Sequence, residues 1–94
     1  MPPSSSSGTE VERRATLPVD VALHARPAGL LVREAARFTA SIVVAANGRT
    51  ANAKSILEVL ALGATGGTEL SLSASGEDAA EAVSSLSDLV PQLG

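Results

Sequence analysis

The dipeptide Asn47-Gly48 lies between two short runs that favour extended backbone, and it constrains the fold more than any other local feature. The run before it, residues 41–46, is SIVVAA, and residues 49–52 follow it as RTAN. Asn-Gly between two extended segments is the strongest short-range signal for a tight hairpin, because both residues accept a positive φ angle. Two antiparallel strands are therefore predicted near the centre of the chain.

A helical pattern of apolar residues precedes this hairpin. Apolar positions recur at spacings of three and four residues, with Arg33, Glu34 and Arg37 on the opposite face, which is typical of an amphipathic helix. Those apolar positions are Ala28, Leu31, Val32, Ala35 and Phe38. Pro27 is predicted to occupy the first helical position, where its φ angle suits the helix and an amide is not needed.

Two further helices are predicted after the hairpin. Ser55 and Glu58 fit the N-cap and N3 positions of a capping box, and Gly63 with the Gly66-Gly67 pair ends this helix after a few residues. The last helix follows Glu77-Asp78, an acidic pair that is expected in its first turn, where it complements the helix dipole. Its apolar positions are Ala79, Ala82, Val83, Leu86, Leu89 and Val90.

Two more strands complete the pattern. Glu10 to Leu17 alternates loosely and is limited by Pro18, so it is predicted to be an edge strand that stops early. Thr68 to Ser75 alternates with Leu70 and Leu72 on one face, as a half-buried strand does. The resulting order, β-α-β-β-α-β-α, favours an α+β fold in which a four-stranded antiparallel sheet packs three helices on one face.

The length of 94 residues argues for a single domain. Residues 1–9 are rich in Pro, Ser and Gly and are predicted to form a disordered tail, which leaves residues 10–94 as the folded domain. The chain shows no charged leader followed by an apolar stretch, and no apolar run approaches the roughly 20 residues of a spanning helix. We therefore expect a cytoplasmic protein without membrane insertion, and a monomer.

The composition argues against several classes of function. The chain has no cysteine, one histidine, and Phe38 as its single aromatic residue. A disulfide framework and a dedicated zinc site are therefore not expected, and neither a metal nor a cofactor is predicted. A net charge of −3 and the lack of aromatic platforms also disfavour binding of nucleic acid, including RNA recognition on a sheet of this kind.

The single histidine, His24, lies just ahead of the predicted helix and two residues before Arg26. A neutral imidazole is a competent nucleophile near pH 7, and the planar guanidinium of Arg26 matches the oxygens of a phosphoryl group. Neither Ala25 nor Arg26 is a good N-cap, so the first helical amides are expected to lack a side-chain acceptor. A phosphoryl group on His24 would supply that acceptor, although a lone histidine at a helix start is more often an ordinary surface residue.

Five segments, in order between about Thr16 and Val90, identify a known pattern. They are His24-Ala25-Arg26-Pro27-Ala28, Asn47-Gly48, Lys54-Ser55-Ile56, Leu62-Gly63 and Ser73-Ala74-Ser75-Gly76. In this series the chain resembles the histidine-containing phosphocarrier (HPr) family of the bacterial phosphoenolpyruvate:sugar phosphotransferase system. The resemblance implies an open-faced β-sandwich and a carrier without independent turnover. It also implies that His24 accepts a phosphoryl group from enzyme I and passes it to enzyme IIA domains, with Ala25 and Arg26 binding the phosphate.

The resemblance also assigns roles to the second helix. Ser55 matches the serine that a regulatory serine kinase/phosphorylase modifies in many relatives, so a regulatory interaction module controlled through Ser55 is the alternative function. Leu57 is the best candidate for partner docking, because the face formed by Ile56, Val59 and Leu60 is expected to point inward. The other members of the candidate docking patch are Leu31, Ile56 and Leu60. Ordinary core packing is their competing interpretation, and it is favoured for Ile56 and Leu60.

Three residues ahead of the histidine depart from the family pattern. Pro18 limits the first strand, Val21 stands where relatives commonly have Ser or Asn, and Ala22 stands where they often have Gly. The segment leading to His24 is therefore expected to be more apolar and to lack a side-chain hydrogen bond to the phosphoryl group.

Overall fold

Strands and helices alternate along the chain in the predicted order β-α-β-β-α-β-α, which is confirmed. The structure is a computed structural model that describes residues 10–93, so the predicted tail lies outside the described residues. The strands are β1 (Glu10–Thr16), β2 (Ser41–Ala46), β3 (Arg49–Asn52) and β4 (Glu69–Ser75). The helices are α1 (Ala25–Ala35), α2 (Ile56–Ala61) and α3 (Ala79–Leu89), and a 3-10 turn follows at Val90–Gln92.

The four strands form one antiparallel sheet in the order β1-β4-β2-β3. β1 lies at an edge, as its proline predicts, and the chain leaves the sheet directly after it. The Leu17 amide still donates to the Thr68 carbonyl at 3.0 Å, and the Val21 amide donates to the Pro18 carbonyl at 3.1 Å. Residues 18–21 therefore form a turn that carries the chain from the sheet toward α1.

The central hairpin has the predicted geometry. Asn47 and Gly48 have φ angles of 55° and 76°, so both residues of the loop are left-handed, as a type I′ turn requires. β2 and β3 pair from Ala46 opposite Arg49 outward. This turn sets the register of the two strands.

One face of the sheet is covered by the helices, and the other remains open. β2 and β4 alternate between buried and more exposed residues, and their buried residues are Ile42, Val44, Ala46, Leu70, Leu72 and Ala74. The helices complete this core with Ala28, Leu31, Ala35, Ala82, Val83 and Leu86. On the open face the residues between them are mostly small and polar, with Val43 40% exposed. The predicted packing of three helices on one face is confirmed.

Helix α1 begins two residues earlier than predicted. Ala25, not Pro27, is its first residue, and Pro27 is the third. The prediction was wrong because the missing amide of proline is harmless anywhere in the first turn, where amides have no intrahelical acceptor. The helix also ends at Ala35, so Phe38 lies in the turn beyond it, where its amide donates to the Ala35 carbonyl at 3.2 Å.

Asp78 is the N-cap residue of α3, outside the first turn where it was predicted to lie. Its two carboxylate oxygens accept from the amides of Thr39 and Ala40 at 2.9 and 2.8 Å. Thr39 and Ala40 directly precede β2, so these hydrogen bonds connect the start of α3 to the start of a central strand. The acidic residue in the first turn of α3 is Glu81. Within residues 10–93, no helix is both long and apolar enough to cross a membrane.

The Asp78 contact predicts a pH-dependent loss of stability. The amide of Thr39, aided by that of Ala40, lowers the pKa of the Asp78 carboxyl against the opposing effect of burial. Because folding lowers this pKa, the stabilisation is present above the unfolded value of about 3.9 and is lost as pH falls through the folded value. In urea unfolding, Asp78→Asn should lower the midpoint at pH 7 and flatten its fall below about pH 4.

Asp88→Asn is the matched control for this prediction. It removes an exposed carboxylate that accepts no hydrogen bond from the described residues. Its unfolding midpoint should therefore follow the pH dependence of the unmodified protein. An equal effect of the two substitutions would show that net charge, and not the Thr39–Ala40 contact, determines the acid sensitivity.

Candidate functional site

His24 is the N-cap residue of α1. Its backbone is extended, with φ −86° and ψ −169°, and its carbonyl accepts the first helical hydrogen bond from the Ala28 amide at 2.9 Å. Its own amide donates to the Ala22 carbonyl at 2.8 Å. The imidazole is exposed and makes no capping hydrogen bond. The amide and the carbonyl of His24 are thus both hydrogen-bonded, while its ring remains accessible.

Two unpaired amides lie directly after His24. Pro27 has no amide, and the Ala28 amide is already used, so the free donors at this helix start are those of Ala25 and Arg26. Neither amide donates a hydrogen bond to an acceptor within residues 10–93, which confirms the predicted lack of an acceptor. The helix dipole adds partial positive charge at the same point. The exposed Arg26 side chain forms no ion pair within the described chain, so its guanidinium is available to an anion.

The segment before His24 is held by the loop that follows α2. At one end, the Gly67 amide donates to the carbonyls of Leu17 and Pro18, each at 3.2 Å. At the other end, the amide of Leu23, a residue only 2% exposed, donates to the Ala64 carbonyl at 2.9 Å. From the sequence, the glycines of this loop were predicted only to end α2. The hydrogen bonds of Gly67 and Ala64 to the segment before His24 are long-range contacts that no local pattern indicated.

The residues that depart from the family pattern serve packing. Val21 is half-buried and packs against the core, and Ala22 is also half-buried. Neither has a polar side-chain atom to offer to a group bound on His24. The expectation of a more apolar segment ahead of the histidine agrees with this arrangement.

Ser55 is the N-cap residue of α2, as predicted. Its hydroxyl accepts from the Glu58 amide at 3.3 Å, and the residue is half-buried. The reciprocal half of the capping box is absent: Glu58 Oε1 accepts from the Asn52 amide at 2.8 Å, not from the Ser55 amide. The Ser55 amide already donates to the Asn52 carbonyl at 2.9 Å, which leaves the carboxylate free to bind elsewhere.

Three large apolar side chains on α1 and α2 are exposed, and together they are called the exposed apolar surface: Leu30, Ile56 and Leu57. Leu57 is 77% exposed, as the helical pattern indicates, whereas Ile56 was expected to point inward and is 37% exposed. The inward expectation for Ile56 was wrong because α2 has six residues, of which only Val59 is fully enclosed. Leu60 packs partly against the core, and Leu31 is completely buried, so core packing accounts for Leu31.

Comparisons with known proteins agree with this architecture. The family model described as "PTS HPr component phosphorylation site" matches residues 11–92. The phosphocarrier protein HPr of Vibrio cholerae is 42% identical over 82 residues, which cover 87% of this chain and 96% of that protein.

Solved structures give the same result. The crystal structure of HPr from Bacillus anthracis superposes with a TM-score of 0.81 at 38% identity, covering 86% of this chain and 96% of that one. Crh from Bacillus subtilis, described as a catabolite repression protein in a swapped dimer, has a TM-score of 0.69 at 40% identity over 85% of this chain and 92% of that chain. Sequence and fold therefore agree over nearly all of the described residues, and the chain belongs to the HPr phosphocarrier family of the phosphotransferase system.

Proposed function

We propose that this protein is a phosphoryl carrier that accepts a phosphoryl group on His24 from enzyme I and delivers it to enzyme IIA domains. The observation that supports this most directly is the exposed imidazole at a helix N-cap, next to two amides and one guanidinium that have no partner within residues 10–93. Phosphoryl transfer needs positioning and charge stabilisation more than covalent chemistry. The helix N-cap positions the imidazole, and the amides and the guanidinium stabilise the charge of the phosphoryl group.

In the proposed step, the unprotonated ring nitrogen of His24 attacks phosphorus in line with the bond to the donor. The P–N bond to His24 forms as the bond to the donor breaks, and that electron pair returns to the donor atom. The ring proton of His24 stays on the nitrogen that does not react. The Ala25 and Arg26 amides donate to the phosphoryl oxygens, and the Arg26 guanidinium neutralises their charge.

The exposure of the site suits a carrier that must meet two protein partners in turn. His24, Ala25 and Arg26 are all exposed, so a phosphoryl group held there remains accessible to an incoming acceptor. The exposed apolar surface of α1 and α2 provides a docking area in this proposal, with Leu57 as its most exposed member. Specificity for a sugar then resides in the partners and not in this chain.

A labelling experiment tests the proposed function. Incubation with enzyme I and phosphoenolpyruvate should place one acid-labile phosphate on the protein, and peptide mapping should locate it at His24. Adding an enzyme IIA domain should then remove the label from this chain. No label, or an acid-stable label at another residue, would contradict the carrier role.

Regulation through Ser55 is the second candidate function. Its hydroxyl is a helix N-cap, where a phosphate is favoured by the dipole of α2, and the similarity to Crh supports a regulatory relative. A serine kinase with ATP should then give an acid-stable label at Ser55, in contrast to the acid-labile label that the carrier function predicts at His24. We propose a monomer for the carrier, whereas the swapped dimer of Crh offers the contrasting state for a regulatory module.

A further inference from the structure

Gly66 lies closer to a neighbouring backbone than any side chain would permit. A Cβ atom placed on it would be 2.1 Å from the Val19 carbonyl oxygen, 2.6 Å from the Val19 carbonyl carbon and 3.1 Å from the Pro18 oxygen. Real Cβ contacts essentially never fall below 3.0 Å, and these neighbours are backbone atoms that cannot rotate away as a side chain can. The φ angle of Gly66 is not left-handed, so space alone requires glycine here.

This contact belongs to the loop that holds the segment ahead of His24. The next residue, Gly67, donates to the carbonyls of Leu17 and Pro18, and Ala64 accepts from Leu23. The loop of residues 64–67 therefore contacts both ends of the segment 17–23. Because no side chain lies between the two backbones, their separation is set by the missing Cβ of Gly66.

His24 lies where two separately anchored parts of the chain meet. Helix α1, which provides the free amides, is anchored in the core by Ala28 and Leu31, both completely buried. The segment before His24 is anchored by the loop. A displacement of that segment relative to α1 changes the position of the imidazole relative to the amides that follow it.

We propose that Gly66 is a positioning residue for His24: the bare backbone of Gly66 allows the loop to hold the Pro18–Val19 turn close, and this sets the imidazole against the Ala25 and Arg26 amides. The inference rests on the proposed phosphoryl-carrier function. An added Cβ must move the turn by about 1 Å to reach an allowed distance, and a misplacement of about 1 Å can cost on the order of 100-fold in rate.

Gly66→Ala tests the proposal, with Gly29→Ala as its matched control. A Cβ on Gly29 meets nothing within 4 Å, and its φ angle is ordinary, so the same added methyl group causes no displacement. With enzyme I and phosphoenolpyruvate, Gly66→Ala should lower kcat by about 10- to 100-fold. KM for this protein should change little, because the exposed apolar surface is untouched. Gly29→Ala should stay within about twofold of the unmodified protein in both constants.

A second substitution provides a rescue. Val19 and Asp20 are the central residues of the turn 18–21, so the clashing Val19 carbonyl belongs to the central peptide of that turn. A type II turn reverses this carbonyl but needs a positive φ angle at Asp20, which Asp20 does not have. Asp20→Gly permits the reversal, so Gly66→Ala with Asp20→Gly should regain most of the lost kcat. If Gly66→Ala alone does not fold, the kcat of this double variant still tests whether Gly66 positions His24.

Nuclear magnetic resonance separates positioning from general damage. The scalar coupling across the Leu23–Ala64 hydrogen bond and the His24 ring signals should change in Gly66→Ala and recover in the double variant. A folded Gly66→Ala protein with unchanged kcat would overturn the proposal, as would a double variant that recovers these signals without kcat. If the unmodified protein accepts no phosphate, the carrier function fails, whereas the resonance signals still report whether Gly66 positions His24.

Discussion

His24→Asn should abolish phosphoryl acceptance and, at the same time, make the protein more stable. Acceptance is lost because the chain has no other histidine. Stability rises because asparagine is a preferred N-cap residue, whereas the histidine side chain makes no capping bond. The asparagine oxygen can accept from the Arg26 amide, which is free, although Pro27 leaves no donor at the third position. Relative to His24→Ala, the gain should be about 1 kcal/mol.

Labelling and unfolding of the same two variants check this prediction. His24→Ala should lose the label while its stability stays within about 0.5 kcal/mol of the unmodified protein, because the exposed ring makes no cap contact. His24→Asn should lose the label and unfold at higher denaturant concentration. Equal stability of the two variants would mean that the amides after residue 24 are not available to an acceptor.

Arg26→Ala should lower kcat/KM for phosphoryl acceptance by about 10²- to 10³-fold, the cost typical of removing one donor that stabilises a transition state. Arg26→Lys should recover only part of this loss, because a lysine retains the charge but not the two parallel donors of a guanidinium. The backbone amide at position 26 is present in all three proteins. The comparison therefore isolates the side chain.

Stability and a distant arginine provide the controls for Arg26. A cation in the first turn opposes the helix dipole, so Arg26→Ala should leave the free energy of unfolding unchanged or raise it by about 0.3–1 kcal/mol. Arg37 lies beyond the other end of α1, where it is paired with Glu34 at 3.1 Å. Arg37→Ala should keep kcat/KM within about twofold. Comparable losses from the two substitutions would point to overall charge and not to a phosphate contact.

Local rules predicted the parts of this fold that depend on near neighbours in the chain. The Asn47-Gly48 turn needs only two residues to specify its backbone, and β2 and β3 have the predicted bounds. The lack of an N-cap acceptor at α1 was also predictable, because it follows from the residue types at the helix start. The candidate site could be located for the same reason, since His24, Ala25 and Arg26 are consecutive.

Contacts between distant segments account for what the sequence did not indicate. Asp78 looks like an ordinary first-turn acid until its partners, the amides of Thr39 and Ala40, are known. Gly66 looks like a helix terminator until the Val19 carbonyl is placed against it. Periodicity also cannot tell how much of a six-residue helix lies against the core, which is why the exposure of Ile56 was unexpected.

The uncapped start of α1 has a thermodynamic consequence for a carrier. Any free energy by which the two amides hold a phosphoryl group is subtracted from the group-transfer potential of the phosphohistidine. A closed pocket with many donors would bind the phosphoryl group so strongly that its transfer to an acceptor would become unfavourable. In the proposed carrier, two amides and one solvent-exposed guanidinium would hold the charge less strongly than such a pocket, which suits a group that must be passed on. The same linkage makes the modified form the harder one to unfold, by as much free energy as the phosphoryl group gains from the helix.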